Sequence, residues 1–372
     1  MSVNELFNKF HEIASSPKEQ LDTYLAQGKE VVACVPIYTP EEIIHSMGMV
    51  PFGAWGADME VKEAKRYFPA FICSIMQSIL ELGMTGAYNG VSAIVIPSLC
   101  DSLKCLGQNW KYAVKDIPFI PMTYPQNRNN EVGKAFCRAS YEKVIQDLEA
   151  TTNTKFSEEA LSNSIAVYNE HNKVMREFSE VCSKYSFISA SQRSDVFKSA
   201  YFMLKEEHSS LLKQLLEEIK SMPKEETKKV KIVTSGILAD SKSLLEIFDN
   251  NDMQIVADDI AHESRQYRID ITEKGSSLDA LAEKFSNMEN CSVLYDADKK
   301  RVEFILDLVK KHEAQGVVVL MTKFCDPEEF DLVPIMRACK EEGIQFVQIE
   351  VDRQMVNYEQ AKTMIQTFKE ML

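Results

Sequence analysis

Nine cysteines stand in a chain of 372 residues, and two of them close the same kind of segment. Gly90–Trp110 reads GVSAIVIPSLCDSLKCLGQNW: an apolar Val/Ile run stopped by proline, then Ser98-Leu99-Cys100-Asp101, then a helical pattern. Gly316–Asp326, GVVVLMTKFCD, repeats the device, with Pro327-Glu328-Glu329 opening a helix. Short apolar runs of this kind read as buried parallel strands, and open α/β sheets bind ligands beyond the carboxyl ends of their strands. Cys100 and Cys325 are therefore expected at two strand ends, one in each half of the chain, facing one metal centre. Cys73, flanked by Phe71, Ile72 and Ile75, lies near a helix start, which is expected to lower its thiol pKa. Three soft thiolates from separate elements suit an iron–sulfur cluster or zinc. Taken singly, each also reads as a buried apolar cysteine.

The remaining candidates are weaker. Cys34 ends the first strand and could face the same crevice. Cys105 lies five residues after Cys100, about 140° around a helix, and should face elsewhere. Cys137, Cys182, Cys291 and Cys339 have no evident partner and read as structural or exposed. His45 reads as a core or interface histidine before a catalytic one. Ser235-Gly236, at a strand end, offers N–H groups to an anion but also reads as a plain turn. Asp258 and Asp259 are followed by His262, Arg265 and Arg268, arginines that would either hold cofactor phosphates or lie on a solvated helix. Trp55 and Trp110 read as core. The chain has no GxGxxG or Walker A motif, so NAD binding and ATP hydrolysis are not expected.

The elements that must position these residues alternate. Asn4–Gln27 has helical spacing, and strands are expected at Glu30–Pro36, Met49–Trp55, Val91–Pro97 and Ile117–Met122. Between the first two, Thr39 is expected as an N-cap, with Pro40 at the first helical position and Glu42 closing a capping box. Residues 129–221 show helical patterns and no convincing strand. Met222-Pro223-Lys224-Glu225-Glu226 marks a boundary, after which strands at Val230–Ser235, Met253–Ala257, Val317–Met321 and Ile344–Glu350 alternate with helices. The pattern is α/β: two doubly wound parallel-sheet domains, Rossmann- or flavodoxin-like, joined by a helical segment, with the metal centre in the crevice between them. The expected boundaries are 1–28 for a helical lead-in, 29–128 for the first α/β domain, 129–225 for the helical segment and 226–372 for the second α/β domain. A formal charge of −14 argues against nucleic acid or an anionic membrane as partner. No signal-peptide pattern and no apolar run near 18 residues is seen, so a cytoplasmic location is expected. An odd number of scattered cysteines fits reduced thiols rather than a disulfide framework.

Several longer motifs in order carry a resemblance. CVPIYTPEEIIHSMGMVPFGAWG (Cys34–Gly56), YFPAFICSIMQSILELG (Tyr67–Gly83), IVIPSLCDSLKCLGQNWK (Ile94–Lys111), GILADSKSLLEIF (Gly236–Phe248), VADDIAHESRQYR (Val256–Arg268) and MTKFCDPEEFD (Met321–Asp331) together resemble the 2-hydroxyacyl-CoA dehydratases. The likeness is greatest to the smaller, β-type subunit, in the branch acting on (R)-2-hydroxyisocaproyl-CoA and phenyllactoyl-CoA. It implies one 4Fe-4S cluster per chain, on the family positions that fall at Cys73, Cys100 and Cys325. It implies reversible loss of water from an (R)-2-hydroxyacyl-CoA to a 2-enoyl-CoA, through a ketyl radical, in amino-acid fermentation by anaerobes. The implied partners are a larger α-type subunit, in a heterodimer or a dimer of heterodimers, a transient ATP-dependent iron–sulfur activator that supplies one electron, and the 2-hydroxyacyl-CoA substrate. In the resembling enzymes the substrate sits at the cluster of the larger subunit, so the cluster here is expected to transfer electrons, with Cys34, Tyr38 and His45 lining its pocket. The alternatives are a benzoyl-CoA-reductase-type subunit and a non-catalytic iron–sulfur or zinc protein.

Overall fold

Two four-stranded parallel sheets organise the chain, and they have the same strand order. The computed structural model describes residues 1–223, 228–272 and 275–372. Helices α1 (Val3–Ser15) and α2 (Pro17–Ala26) lead in. The first sheet holds β1 (Val31–Cys34), β2 (Val50–Gly53), β3 (Ala93–Pro97) and β4 (Phe119–Met122), in the order β2-β1-β3-β4. Its crossovers carry α3 (Glu41–Ser46), α4 (Ser74–Met84) and α5 (Asp101–Ala113). Four helices follow: α6 (Glu131–Thr152), α7 (Glu158–Cys182), α8 (Ala190–Ser199) and α9 (Lys205–Ser221). The second sheet holds β5 (Val230–Gly236), β6 (Met253–Ile260), β7 (Gly316–Thr322) and β8 (Gln345–Val351), in the order β6-β5-β7-β8. With it run α10 (Lys242–Asn250), α11 (Ser277–Ser286), α12 (Lys300–His312), α13 (Asp326–Glu341) and α14 (Glu359–Glu370).

The central strands β1, β3 and β7 are buried along their whole length, which is why they read as unbroken apolar runs. β3 and β7 occupy the same place in their sheets, so Cys100 and Cys325 are topological equivalents. Strand β6 runs three residues beyond its expected end and takes Asp258 and Asp259 into the sheet. Gly236 ends β5 at a positive φ of 149°, where a Cβ would stand 2.3 Å from the Leu320 carbonyl oxygen; only glycine fits there. The boundary expected at Met222–Glu226 falls largely on residues outside those described.

The Thr39 capping box is not formed. Helix α3 starts at Glu41 with Pro40 in the N-cap place. The Thr39 hydroxyl instead donates to the Val35 carbonyl at 2.7 Å, and Glu42 turns to Lys284 at 2.9 Å. These partners outcompeted the local cap.

The largest apolar cluster spans the first sheet, α6 and α7, and it also takes Leu278, Leu281 and Phe285 of α11. A segment from the second half thus packs on the first. A second cluster joins α1, α7, α8 and α9 through Phe10, Phe178, Phe197 and Leu215. Two smaller clusters cover the faces of the second sheet.

Candidate functional site

Each of the three singled-out cysteines is the residue that precedes a helix. Cys73 is the N-cap of α4, Cys100 of α5 and Cys325 of α13. Cys100 and Cys325 each stand three residues past the last residue of β3 and β7, and each is followed by an aspartate that opens the helix. None of the three side chains caps its helix, which leaves the sulfurs available. They are close enough to act on one another: Cys73 raises the pKa of the Cys100 and Cys325 thiols electrostatically. All three take part in one apolar cluster. The expected lowering of the Cys73 pKa by its helix start is not found. Burial, the largest influence, pushes the Cys73 thiol up, and burial takes Cys100 up to about 12. Desolvation of a thiolate outweighs the helix dipole here.

Among the described residues no group of three or more His, Cys, Asp and Glu side chains is gathered tightly enough for a single metal ion. A lone tetrahedral ion draws its sulfurs in to bonds of about 2.3 Å; a polynuclear cluster spaces its thiolates more widely, and the three helix-start sulfurs fit such a group by donor chemistry.

A buried charge network lies beneath Cys325. The Glu328 N–H donates to the Cys325 carbonyl at 3.0 Å. The Glu328 carboxylate accepts from Arg301 at 2.7 Å and from Arg265 at 3.1 Å. Asp259 takes Arg301 at 2.7 Å, Arg268 at 2.8 Å and Arg265 at 3.0 Å. Asp331 takes Arg301 at 3.0 Å and Lys299 at 2.6 Å. Three arginines and a lysine thus face three carboxylates, leaving one positive charge in excess. Burial works against the Asp259 and Glu328 carboxylates, but the arginines hold both below their ordinary values. Ser235 belongs to this network through its hydroxyl, which meets Asp259 and Arg301. Arg265 is neither a phosphate holder nor on a solvated helix: it is 3% exposed and fully engaged inside the protein.

A second tie secures Cys73. Arg353, just past β8, donates its backbone N–H to Ser74 Oγ at 2.9 Å. Its guanidinium reaches Asp58 at 3.0 Å and the Trp55 carbonyl at 3.2 Å in the first lobe, and Asp240 at 2.8 Å and 3.0 Å in the second. Arg353, Arg301 and Glu328 were not singled out from sequence. The available signal was Asp258-Asp259 at the end of an apolar strand, since buried carboxylates demand partners.

The other candidates scatter. Cys34 is buried, its thiol on the Val32 carbonyl at 3.5 Å. His45 contacts Ser164 at 2.8 Å and Glu206 at 3.4 Å, an interface with α7 and α9. Tyr38 alone of these three lines the cavity of ≈ 90 Å³ that lies between the lobes and the helical segment. Tyr38 has a positive φ of 68°, and its hydroxyl interacts with the Cys291 thiol. Cys105 is exposed, while Cys137, Cys182, Cys291 and Cys339 are buried.

The family described as 2-hydroxyglutaryl-CoA dehydratase, D-component, matches residues 36–372. The chain belongs to this family. Over 99% of both chains it is 46% identical to the (R)-phenyllactyl-CoA dehydratase beta subunit of Clostridium sporogenes. It is 42% identical to the beta subunit of lactoyl-CoA dehydratase from Anaerotignum propionicum, over all of this chain and 99% of that one. A more distant relative, one of the subunits of benzoyl-CoA reductase from Thauera aromatica, is 25% identical over 86% of this chain and 84% of its own. This family member therefore aligns end to end with dehydratase beta subunits. No helix among its described residues is long and apolar enough to cross a membrane.

Proposed function

We propose that this chain is the β-type subunit of a heteromeric hydro-lyase that removes water from an (R)-2-hydroxyacyl-CoA to give a 2-enoyl-CoA. The end-to-end likeness to dehydratase beta subunits supports the reaction class, and the greater identity to the phenyllactyl relative favours an aryl-lactyl or branched 2-hydroxyacyl group. The observation that carries the reading is the convergence of three uncapped helix-start thiols from both lobes. Cys73, Cys100 and Cys325 would hold a 4Fe-4S cluster. When bound, such a cluster supplies single electrons at low potential, which a dehydration at a barely acidic β-carbon calls for.

The chain's own residues bury Cys73 and half-bury Cys100 and Cys325, and they fix the loops that carry them. Arg301 and Arg265 hold Glu328, whose N–H is tied to the Cys325 carbonyl, so the network fixes the turn that carries that thiol. Arg353 fixes Ser74 beside Cys73. A larger α-type subunit would complete the enzyme, and an ATP-dependent iron–sulfur activator would deliver the electron.

Anaerobic purification with the partner subunit tests this. About four irons with matching sulfide should accompany this chain, and Cys100→Ala should lose iron and dehydration together. Full iron content and turnover in that variant would end the proposal. Ring reduction of benzoyl-CoA without dehydration would shift the reading to the reductase class, to which the 25% relative belongs.

A further inference from the structure

The three helix starts are not equally supplied with hydrogen-bond donors. The first N–H groups of a helix have no partner inside it. In α4 and α5 the Gln77 and Lys104 N–H groups reach back to the Cys73 and Cys100 carbonyls, at 3.4 Å and 3.2 Å. The N–H groups ahead of them, of Met76 and Ile75 and of Leu103 and Ser102, lie beside the Cys73 and Cys100 sulfurs and favour their thiolates without closing a cap. Cys325 is served more thinly. Two residues past it stands Pro327, which has no N–H, and the Glu328 N–H that favours its thiolate is shared with the Cys325 carbonyl at 3.0 Å. The topologically equivalent residue after Cys100 is Ser102, which brings both an N–H and a hydroxyl.

The Ser102 hydroxyl is placed to serve the other first-lobe sulfur. A serine within a helix commonly bonds a carbonyl one turn back; among the described residues the Ser102 hydroxyl makes no such bond, and it faces the Cys73 sulfur. Ser102 is half-buried, and the packing of α5 on α4 holds it there. A Cβ at Gly83 of α4 would stand 2.5 Å from the Trp110 ring of α5. Asn109 of α5 donates to the Tyr67 carbonyl at 2.6 Å, on the segment that leads into Cys73. Two sulfurs thus share one packed frame, and the third comes from the other lobe.

We propose that Ser102 is a positioning residue of the thiol locus: carried on the helix that Cys100 starts, it donates its hydroxyl to the Cys73 thiolate, ties the two first-lobe ligands into one unit and raises the reduction potential of the group they hold. The inference rests on the iron–sulfur reading under the proposed function. Hydrogen bonds to the sulfurs are one means by which a protein sets such a potential, because a donor steadies the negative charge that a reduced cluster gains. Partners of the ligands also fix their orientation. Pro327 denies Cys325 the same service, so the donors are concentrated on the first-lobe side.

The test uses the anaerobically purified complex of this chain with its partner subunit, as wild type, Ser102→Ala and Ser102→Thr. Iron and sulfide are counted, and the midpoint potential is read by EPR during titration with dithionite; the signal missing from Cys100→Ala identifies this chain's cluster. Ser102→Ala should keep its iron and be reduced about tenfold less favourably, the worth of one hydrogen bond to a charged group, a fall of ~59 mV for one electron. Ser102→Thr, which keeps the hydroxyl, should restore the wild-type potential. Iron lost in Ser102→Ala and regained in Ser102→Thr would equally support the tie. Equal potentials in wild type and Ser102→Ala, or the same change in both variants, would overturn the role of Ser102 and leave the cluster reading intact. A wild-type complex without iron would defeat that reading, and this inference with it.

Discussion

Arg301 shows how much one side chain settles. It touches Asp259, Glu328 and Asp331 at once, and all four groups are buried. Removing one partner of a buried charge cluster strands the others. Arg301→Met should therefore cost about 3–5 kcal/mol in denaturant unfolding; a cost under about 1 kcal/mol would show that the network is not closed as described. The carboxylates in the lobes answer to pH in two opposite ways. Asp259 and Glu328 have folded pKa values below their ordinary 3.8 and 4.5, so their stabilisation is whole above that range and is lost as pH falls through it. Glu263 is the reverse: burial lifts it from 4.5 to about 7 against the pull of Arg193. The folded state then binds the extra proton, and stability falls as pH rises from about 4.5 to about 7. Glu263→Gln should flatten that upper slope and leave the acid limb in place. Unfolding midpoints across pH 3 to 8 for both proteins would check it.

At the scale of elements, β3 and β7 were legible because burial on both faces forces unbroken apolar runs. The Cys-Asp steps that follow them marked the helix starts for the same reason: the chain must leave the sheet there. What was not legible depended on partners far along the chain. Arg265 meets Glu328 across 63 positions, and nothing near Arg265 in sequence announces it. Thr39 had every local feature of a cap and lost it to the Val35 carbonyl. The helix-start effect on Cys73 was read correctly in kind, but burial, a tertiary quantity, set the sign. Of the cavity's lining, Tyr38 and His262 were named from the sequence, each because it stands just past a buried strand.

For the whole molecule the decisive joint is Arg353. It grips Asp58 and the Trp55 carbonyl of one lobe and Asp240 of the other. Asp240 is buried, and burial opposes its charge, yet Arg353 and Lys198 hold it far below the ordinary carboxylate range. Arg353→Met should uncouple the lobes and split thermal unfolding into two transitions, with Arg353→Lys between the two because a lysine cannot reproduce the planar fork. An unchanged single transition in Arg353→Met would mean that apolar packing of α11 on the first lobe carries the joint alone.

The shared ownership of the three helix starts also has a timetable in it. A ribosome releases Cys73 and Cys100 early, while Cys325 emerges when all but the last few dozen residues have been made. A nascent first lobe can fold around two sulfurs but cannot complete the set. Loading with the proposed cluster would thus be a late event in the life of each molecule, and a chain cut short before β7 would lack one of its three proposed ligands.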